Sequence, residues 1–175
     1  MKNRTLVAIA VSAALAAGGV GCKAGYEAAY ERGYEAGYEA GRDDPKSIWE
    51  LTHNVVRVID GDTLVLENGE KVRLIGIDAP EKRGDEPLNA EAAEKLEGLV
   101  LGVPVRIERD QTIRGPHGRL LAYLYIDDIF VNRELVRIGY ARASPYGNNR
   151  KYEAQLAESE RLAKEEGLGI WALER

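Results

Sequence analysis

The sequence predicts a mainly β member of the α+β class: a five-stranded barrel with helices appended at its C-terminal end. Three observations carry this reading. Three short β-rich runs follow one another, Val55 to Asp60, Thr63 to Glu67 and Lys71 to Ile77, separated by turn residues. A single amphipathic helical run comes next, then two further strand runs, then two helical runs. The 175 residues hold one cysteine, Cys22, so no disulfide framework supports the fold. A closed barrel removes exposed sheet edges, and five strands interrupted once by a helix make the OB-fold the natural candidate.

The elements follow in chain order. Met1-Lys2-Asn3-Arg4 is a positive leader, and Leu6 to Ala17 is an apolar, alanine-rich run. That run suits the core of an export signal and is short for a membrane-spanning helix. Gly18-Gly19-Val20-Gly21 and Cys22 come next. A cysteine in this place resembles a bacterial lipoprotein, in which it is lipidated and becomes the new N-terminus. Position −3 departs from that pattern, with Gly19 where leucine is usual. Ordinary signal cleavage and an uncleaved anchor remain the alternatives. All three place the chain outside the cytoplasm, secreted or anchored to a membrane, with Cys22 as the point of attachment if it is lipidated.

Residues 25–41 are a tetrad repeat, with Tyr26, Tyr30, Tyr34 and Tyr38 at i, i+4 spacing. Glu27, Glu31, Glu35 and Glu39 share that spacing, as do Gly25, Ala29, Gly33, Gly37 and Gly41. On a helix each set forms a slowly drifting stripe. The small stripe favours self-pairing, whereas the helix-weakening glycines and like-charged glutamates favour a solvated spacer. The organisation expected is therefore a signal over 1–22, a spacer over 23–44 and a folded domain over 45–175. Asp43-Asp44-Pro45 reads as a helix start, with the helical stretch ending near His53.

Within the domain, Asn68-Gly69 marks a two-residue hairpin between the second and third strand runs. A charged loop spans Lys82 to Pro87. Leu88, Ala92, Leu96, Leu99 and Val100 then form one face of a helix. Pro104 to Arg109 and Leu120 to Ile126 read as strands. Val131 to Ile138 and Tyr152 to Glu166 read as helices, the second closed by Gly167.

Three polar clusters punctuate these elements: Asp60-Gly61-Asp62-Thr63, Arg73 through Asp78-Ala79-Pro80-Glu81, and His117-Gly118-Arg119. By strand alternation Arg73 shares a face with Ile75 and Ile77. An arginine among aliphatic residues needs an anionic partner or an opening to solvent. Asp78 and Glu81 lie close in sequence, and Asp62 is placed to join them across the sheet. Two or three carboxylates plus water suit a hard cation, Ca²⁺ or Mg²⁺, and Arg119 adds a second positive charge for a phosphate. Those are the parts that phosphodiester hydrolysis needs. Each cluster alone is an ordinary polar turn; their order and spacing give them weight. His117 reads as a turn residue, since two histidines and no nearby cysteine make a poor zinc set. Trp171 reads as a core plug, and Tyr123 and Tyr125 as packing residues on one strand face.

Val58-Ile59-Asp60-Gly61-Asp62-Thr63, then Val72-Arg73 through Glu81, then Gly118-Arg119-Leu120-Leu121-Ala122-Tyr123 resemble the staphylococcal nuclease family. Val131 to Arg142 and Ser159 to Trp171 extend the resemblance over about residues 54–171. It implies a calcium-dependent nuclease acting on DNA, RNA or both, with 3′-phosphate products. By position, Asp62 and Asp78 would be carboxylate ligands of Ca²⁺. Ala79 would lend its backbone carbonyl where the best-known member has threonine. Glu81 would be the general base, and Arg73 and Arg119 would clamp the scissile phosphate. Tyr146 would fill one of two substrate-contacting tyrosine places; no second is evident. Arg114-Gly115-Pro116-His117 and a shorter loop after Glu81 depart from the family's founder. The formal charge is −5, which excludes a basic nucleic-acid coat and fits shallow, transient binding. The alternative is an oligonucleotide-binding barrel without catalysis, which would have no use for the full set Asp62, Arg73, Asp78, Glu81 and Arg119.

Overall fold

A computed structural model describes residues 52–81 and 86–174. The signal, the tetrad repeat and the helix start at 43–45 lie outside the described residues. Strand β1 (Thr52–Asp60) opens the barrel, followed by β2 (Thr63–Leu66), β3 (Lys71–Leu74) and β4 (Gly76–Asp78). Helix α1 (Asn89–Val100) precedes β5 (Pro104–Glu108) and β6 (Leu120–Ile126). The short β7 (Ile129–Phe130), helix α2 (Val131–Arg137), β8 (Arg142–Ser144) and helix α3 (Glu153–Glu166) follow, then a 3₁₀ turn at Gly169–Ala172.

The barrel closes in the order β1-β2-β3-β6-β5, with β5 returning to β1. All its pairs are antiparallel except β3 with β6, where Val72, Arg73 and Leu74 face Leu120, Leu121 and Ala122 in parallel. Strand β1 serves both sides of the seam. Thr52–Asn54 pair with Arg106–Pro104 of β5, and the rest of the strand pairs with β2 through two register shifts. Such irregularities bend a strand round a barrel corner. They also correct one expectation: the helical stretch does not reach His53, because Thr52 to Asn54 are taken up by β5. A local helix start carries no information about that distant partner.

The barrel interior is aliphatic. Leu64, Leu66, Val72, Leu74, Leu96 and Val105 are buried within one core. Every residue of β6 is buried, because the strand lies between β3 and β5 and is covered on its other face. Tyr123 and Tyr125 pack as expected: Tyr123 meets Tyr152 edge-on at 4.7 Å and Tyr125 stacks on Phe130 at 5.0 Å. Helix α1 covers the barrel with Ala92, Leu96, Leu99 and Val100. Helix α3 ends at Gly167 in the left-handed conformation, the stop that the sequence marks. Trp171 is buried beside Ala163 and Ile170, with Arg142 and Lys164 each 4.3 Å from its ring centroid.

The third strand run is the second correction. It breaks at Ile75, and Gly76 has φ +78. A side chain there would also meet Leu156 Cδ1 at 2.5 Å, so glycine is required twice over. The break is held by buried Asn132 of α2, whose Nδ2 donates to Ile75 O at 2.8 Å while its Oδ1 accepts from Leu124 N–H at 2.9 Å. Past the break the chain pairs with β8 as β4. The strand alternation therefore stops at Leu74, and Arg73 does not simply share a face with Ile75 and Ile77.

Candidate active site

The site begins in the turn between β1 and β2. Asp60 Oδ1 accepts the Asp62 N–H at 3.2 Å, a local turn bond that aims Asp62 inward. Gly61 lets this turn press against Ala79 and α1, since a Cβ there would lie 2.6 Å from Ala79 Cβ and 2.8 Å from Ala92 Cβ. Asp62 is buried. Its Oδ1 accepts from the Thr63 hydroxyl at 2.9 Å, and its Oδ2 accepts from Ala79 N–H at 3.0 Å.

Arg73 holds this turn and β4 together. Its Nη2 lies 2.8 Å from Asp62 Oδ2 and 2.8 Å from Asp78 Oδ1. Its Nη1 donates to the carbonyls of Leu74 at 2.6 Å and Ile77 at 2.9 Å. The strand break makes this possible, because it turns two backbone carbonyls back towards the guanidinium. Asp62 is nonetheless held far from its ordinary state. Burial pushes its carboxyl up to about 7, and neighbouring Asp60 adds to the rise, while Arg73 and the Ala79 N–H offset only part of it. Two carboxylates thus face one guanidinium in a partly dry place, an excess of negative charge that a further cation would relieve.

The donor chemistry of the two carboxylates fits a hard cation. Among the described residues no three Asp, Glu, His or Cys side chains form a ready-made metal cage, so water or substrate oxygens would complete the coordination. Glu81 is not part of the cluster. It is exposed, and its N–H donates to Glu86 Oε2 at 3.0 Å across the charged loop.

Arg119 immediately precedes β6. Leu121, two residues on, lies directly beside Arg73 in the parallel pair, so Arg119 and Arg73 belong to the same side of the sheet, one strand apart. Arg119 is half-buried, and among the described residues its guanidinium has no carboxylate partner. Tyr146 is 37% exposed. Its hydroxyl borders Gly115 in the turn that leads to Arg119, since a Cβ on Gly115 would lie 3.4 Å from it. His117 is exposed in that same turn.

The chain is similar in sequence to known proteins. Residues 71–173, more than half of the chain, match the family described as staphylococcal nuclease homologue. The chain belongs to the staphylococcal nuclease family. It is 32% identical over 130 residues to a thermonuclease of Staphylococcus hyicus, covering 70% of this chain and 77% of that protein. A thermonuclease of Staphylococcus intermedius is 35% identical over 124 residues, covering 67% and 74%. Endonuclease YncB of Bacillus subtilis is 38% identical over 125 residues, covering 66% of this chain and 59% of that protein.

The family member's sequence does not announce the contacts that hold its site. Asp60-Gly61-Asp62 reads as a common turn, which does not reveal the bonds that Asp60 and Thr63 make to Asp62. Arg142 stands opposite Asp78 in the β4–β8 pair, a juxtaposition that depends on the unforeseen strand break. Arg114 binds Glu70 across 44 positions of sequence, a separation that leaves no local signal.

Proposed function

We propose that this protein is a calcium-dependent nuclease that hydrolyses phosphodiester bonds of DNA, RNA or both. One observation carries the reading: Asp62 and Asp78 converge on Arg73 at 2.8 Å each, with Arg119, which has no carboxylate partner among the described residues, just before the adjoining strand. The names of its relatives, thermonucleases and an endonuclease, point to the same chemistry.

In this reading Asp62, Asp78 and the Ala79 carbonyl hold Ca²⁺, whose chemistry is to polarise the phosphoryl oxygen and to favour ionisation of a nearby water. Glu81 accepts a proton from the attacking water. Its exposed position at the loop suits a base that must reach solvent-borne water, and it completes its geometry when substrate is present. Water oxygen adds to phosphorus, the bond from phosphorus to the 5′-oxygen breaks, that oxygen takes a proton from solvent, and the products are a 3′-phosphate and a 5′-hydroxyl. Arg119 offers free N–H donors to the equatorial oxygens, where charge builds up. Arg73 donates from Nη1 to two carbonyls and from Nη2 to Asp78 Oδ1, and the same Nη2 lies 2.8 Å from Asp62 Oδ2. It reaches phosphate through Nε, or by releasing one of these acceptors. Tyr146, beside the Arg119 turn, contacts the substrate.

The N-terminal sequence supports export, with residues 1–22 as the signal, 23–44 as a spacer and Cys22 as the site of a lipid anchor. Fatty-acid labelling that disappears in Cys22→Ser would support the anchor; unchanged labelling would remove it. The nuclease reading is tested by digesting single-stranded DNA and RNA with Ca²⁺, with Mg²⁺ and with EGTA. Calcium-dependent cutting is the expected result, with Mg²⁺ a poor substitute. Binding without cutting would make the barrel a nucleic-acid reader.

A further inference from the structure

Of the two arginines assigned to phosphate in the proposed function, Arg119 has no carboxylate partner among the described residues. Its side chain takes its direction from the backbone before β6, and that backbone is held from both sides. Gly115 N–H donates to Arg119 O at 3.0 Å, and Gly118 N–H donates to Gly115 O at 3.0 Å. Arg114 Nη1 donates to Gly118 O at 2.8 Å, the carbonyl of the peptide that enters Arg119. Arg114 is in turn gripped in a two-point fork by Glu70, with Nη1 2.7 Å from Oε1 and Nη2 2.9 Å from Oε2. Glu70 is itself anchored at the β2–β3 hairpin. Its N–H donates to Asn68 Oδ1 at 3.0 Å, and its carbonyl accepts from Leu66 N–H at 3.0 Å.

Glu70 stands one residue before β3, the strand that carries Arg73, and Arg114 pairs through its backbone with Leu120, the first residue of β6. The bridge thus joins the starts of two strands that already pair in parallel. An exposed ion pair adds little to stability. A two-point fork that also holds a backbone carbonyl adds geometric definition.

We propose that the Glu70–Arg114 pair is a positioning device for Arg119: it fixes the turn 115–118 so that the Arg119 guanidinium is set at a constant distance from Arg73 before substrate arrives. The proposal rests on Arg119 acting as a phosphate clamp. Neither Glu70 nor Arg114 touches the reacting atoms in this scheme. Their contribution appears in turnover and not in substrate affinity, because a misplaced clamp costs transition-state stabilisation most.

The test is steady-state cleavage of a single-stranded oligonucleotide by the full chain carrying Glu70→Gln, Arg114→Met, both, Arg119→Ala, and Glu70→Gln with Arg119→Ala. The expected result is a kcat about 5- to 10-fold lower in each single variant, with KM within about two-fold and an unchanged melting temperature. The double variant should lose no more than either single one. In the Arg119→Ala background, Glu70→Gln should have no further effect. A further loss in that background, or a fall in melting temperature that parallels the fall in kcat, would reduce the pair to a general structural contact and overturn the proposal. A lower KM in Glu70→Gln would also overturn it, since Glu70 would then be competing with substrate for Arg114. If Arg119→Ala itself leaves kcat intact, the clamp reading fails first and separately.

Discussion

Two arginines face the same region from neighbouring strands, and they are held in opposite ways. Arg73 is wrapped by two carboxylates and two carbonyls. Arg119 has no carboxylate partner among the described residues, and only its backbone is tethered. The first is built into the fold; the second is kept available. A residue held by several acceptors stabilises structure, and its substitution disturbs the site and the fold together. A residue with free donors contributes when a ligand supplies acceptors. If the two arginines form the phosphate clamp proposed above, the contrast divides it into a structural half and a reactive half.

The largest expected effect sharpens that division. Arg119→Ala should lower kcat by about two orders of magnitude or more while the urea midpoint stays at the wild-type value. A rise in KM alone would make Arg119 a binding residue. Glu81→Gln should cost a similar factor in kcat, again with an intact fold. Near-wild-type turnover would show that Glu81 is not the base.

Arg73→Ala should lose activity too, but it should also destabilise the protein by about 2 kcal/mol or more, because Asp62 is left buried without its cation. An unchanged urea midpoint would erase the distinction between the two arginines.

The smallest effect concerns pH. The Asp62 carboxyl stands at about 7 in the folded protein against an ordinary 3.8. The native state therefore binds more protons than the unfolded chain between those values. The contribution of this group to stability is present below pH 4, is lost as pH rises towards 7, and is level above that. Asp62→Asn keeps an acceptor for Ala79 N–H and removes the buried charge. In EGTA its urea midpoint should exceed that of the parent at pH 8 and approach it at pH 4, although cutting is abolished. A lower midpoint at pH 8 would mean that the Arg73 pair outweighs the burial cost.

Much of this molecule was legible in the sequence. The apolar face from Ala92 to Val100, the stop at Gly167 and the packing of Tyr123, Tyr125 and Trp171 follow from period, turn chemistry and residue type. So does the place of the hairpin at Asn68-Gly69, although its connection spans residues 67–70 rather than the two expected, with Leu66 N–H bonded to Glu70 O. These are local properties, fixed by neighbours within a few positions, and they were enough to give the barrel. The order of Asp62, Arg73, Asp78 and Arg119 along the chain also marked the region of the site.

Tertiary structure decided the rest. The course of Thr52 to Asn54 depended on β5, fifty positions away, and not on the helix start before it. The strand after Leu74 broke because Asn132 and Leu156 meet it from distant helices, and that break gave Arg73 two carbonyls that alternation alone denies. Which arginine is locked and which is free depends on carboxylates brought close only when the barrel closes. The sequence supplies the charged groups and their approximate stations. Their pairing is a matter of distance, and across tens of residues distance exists only in the folded chain.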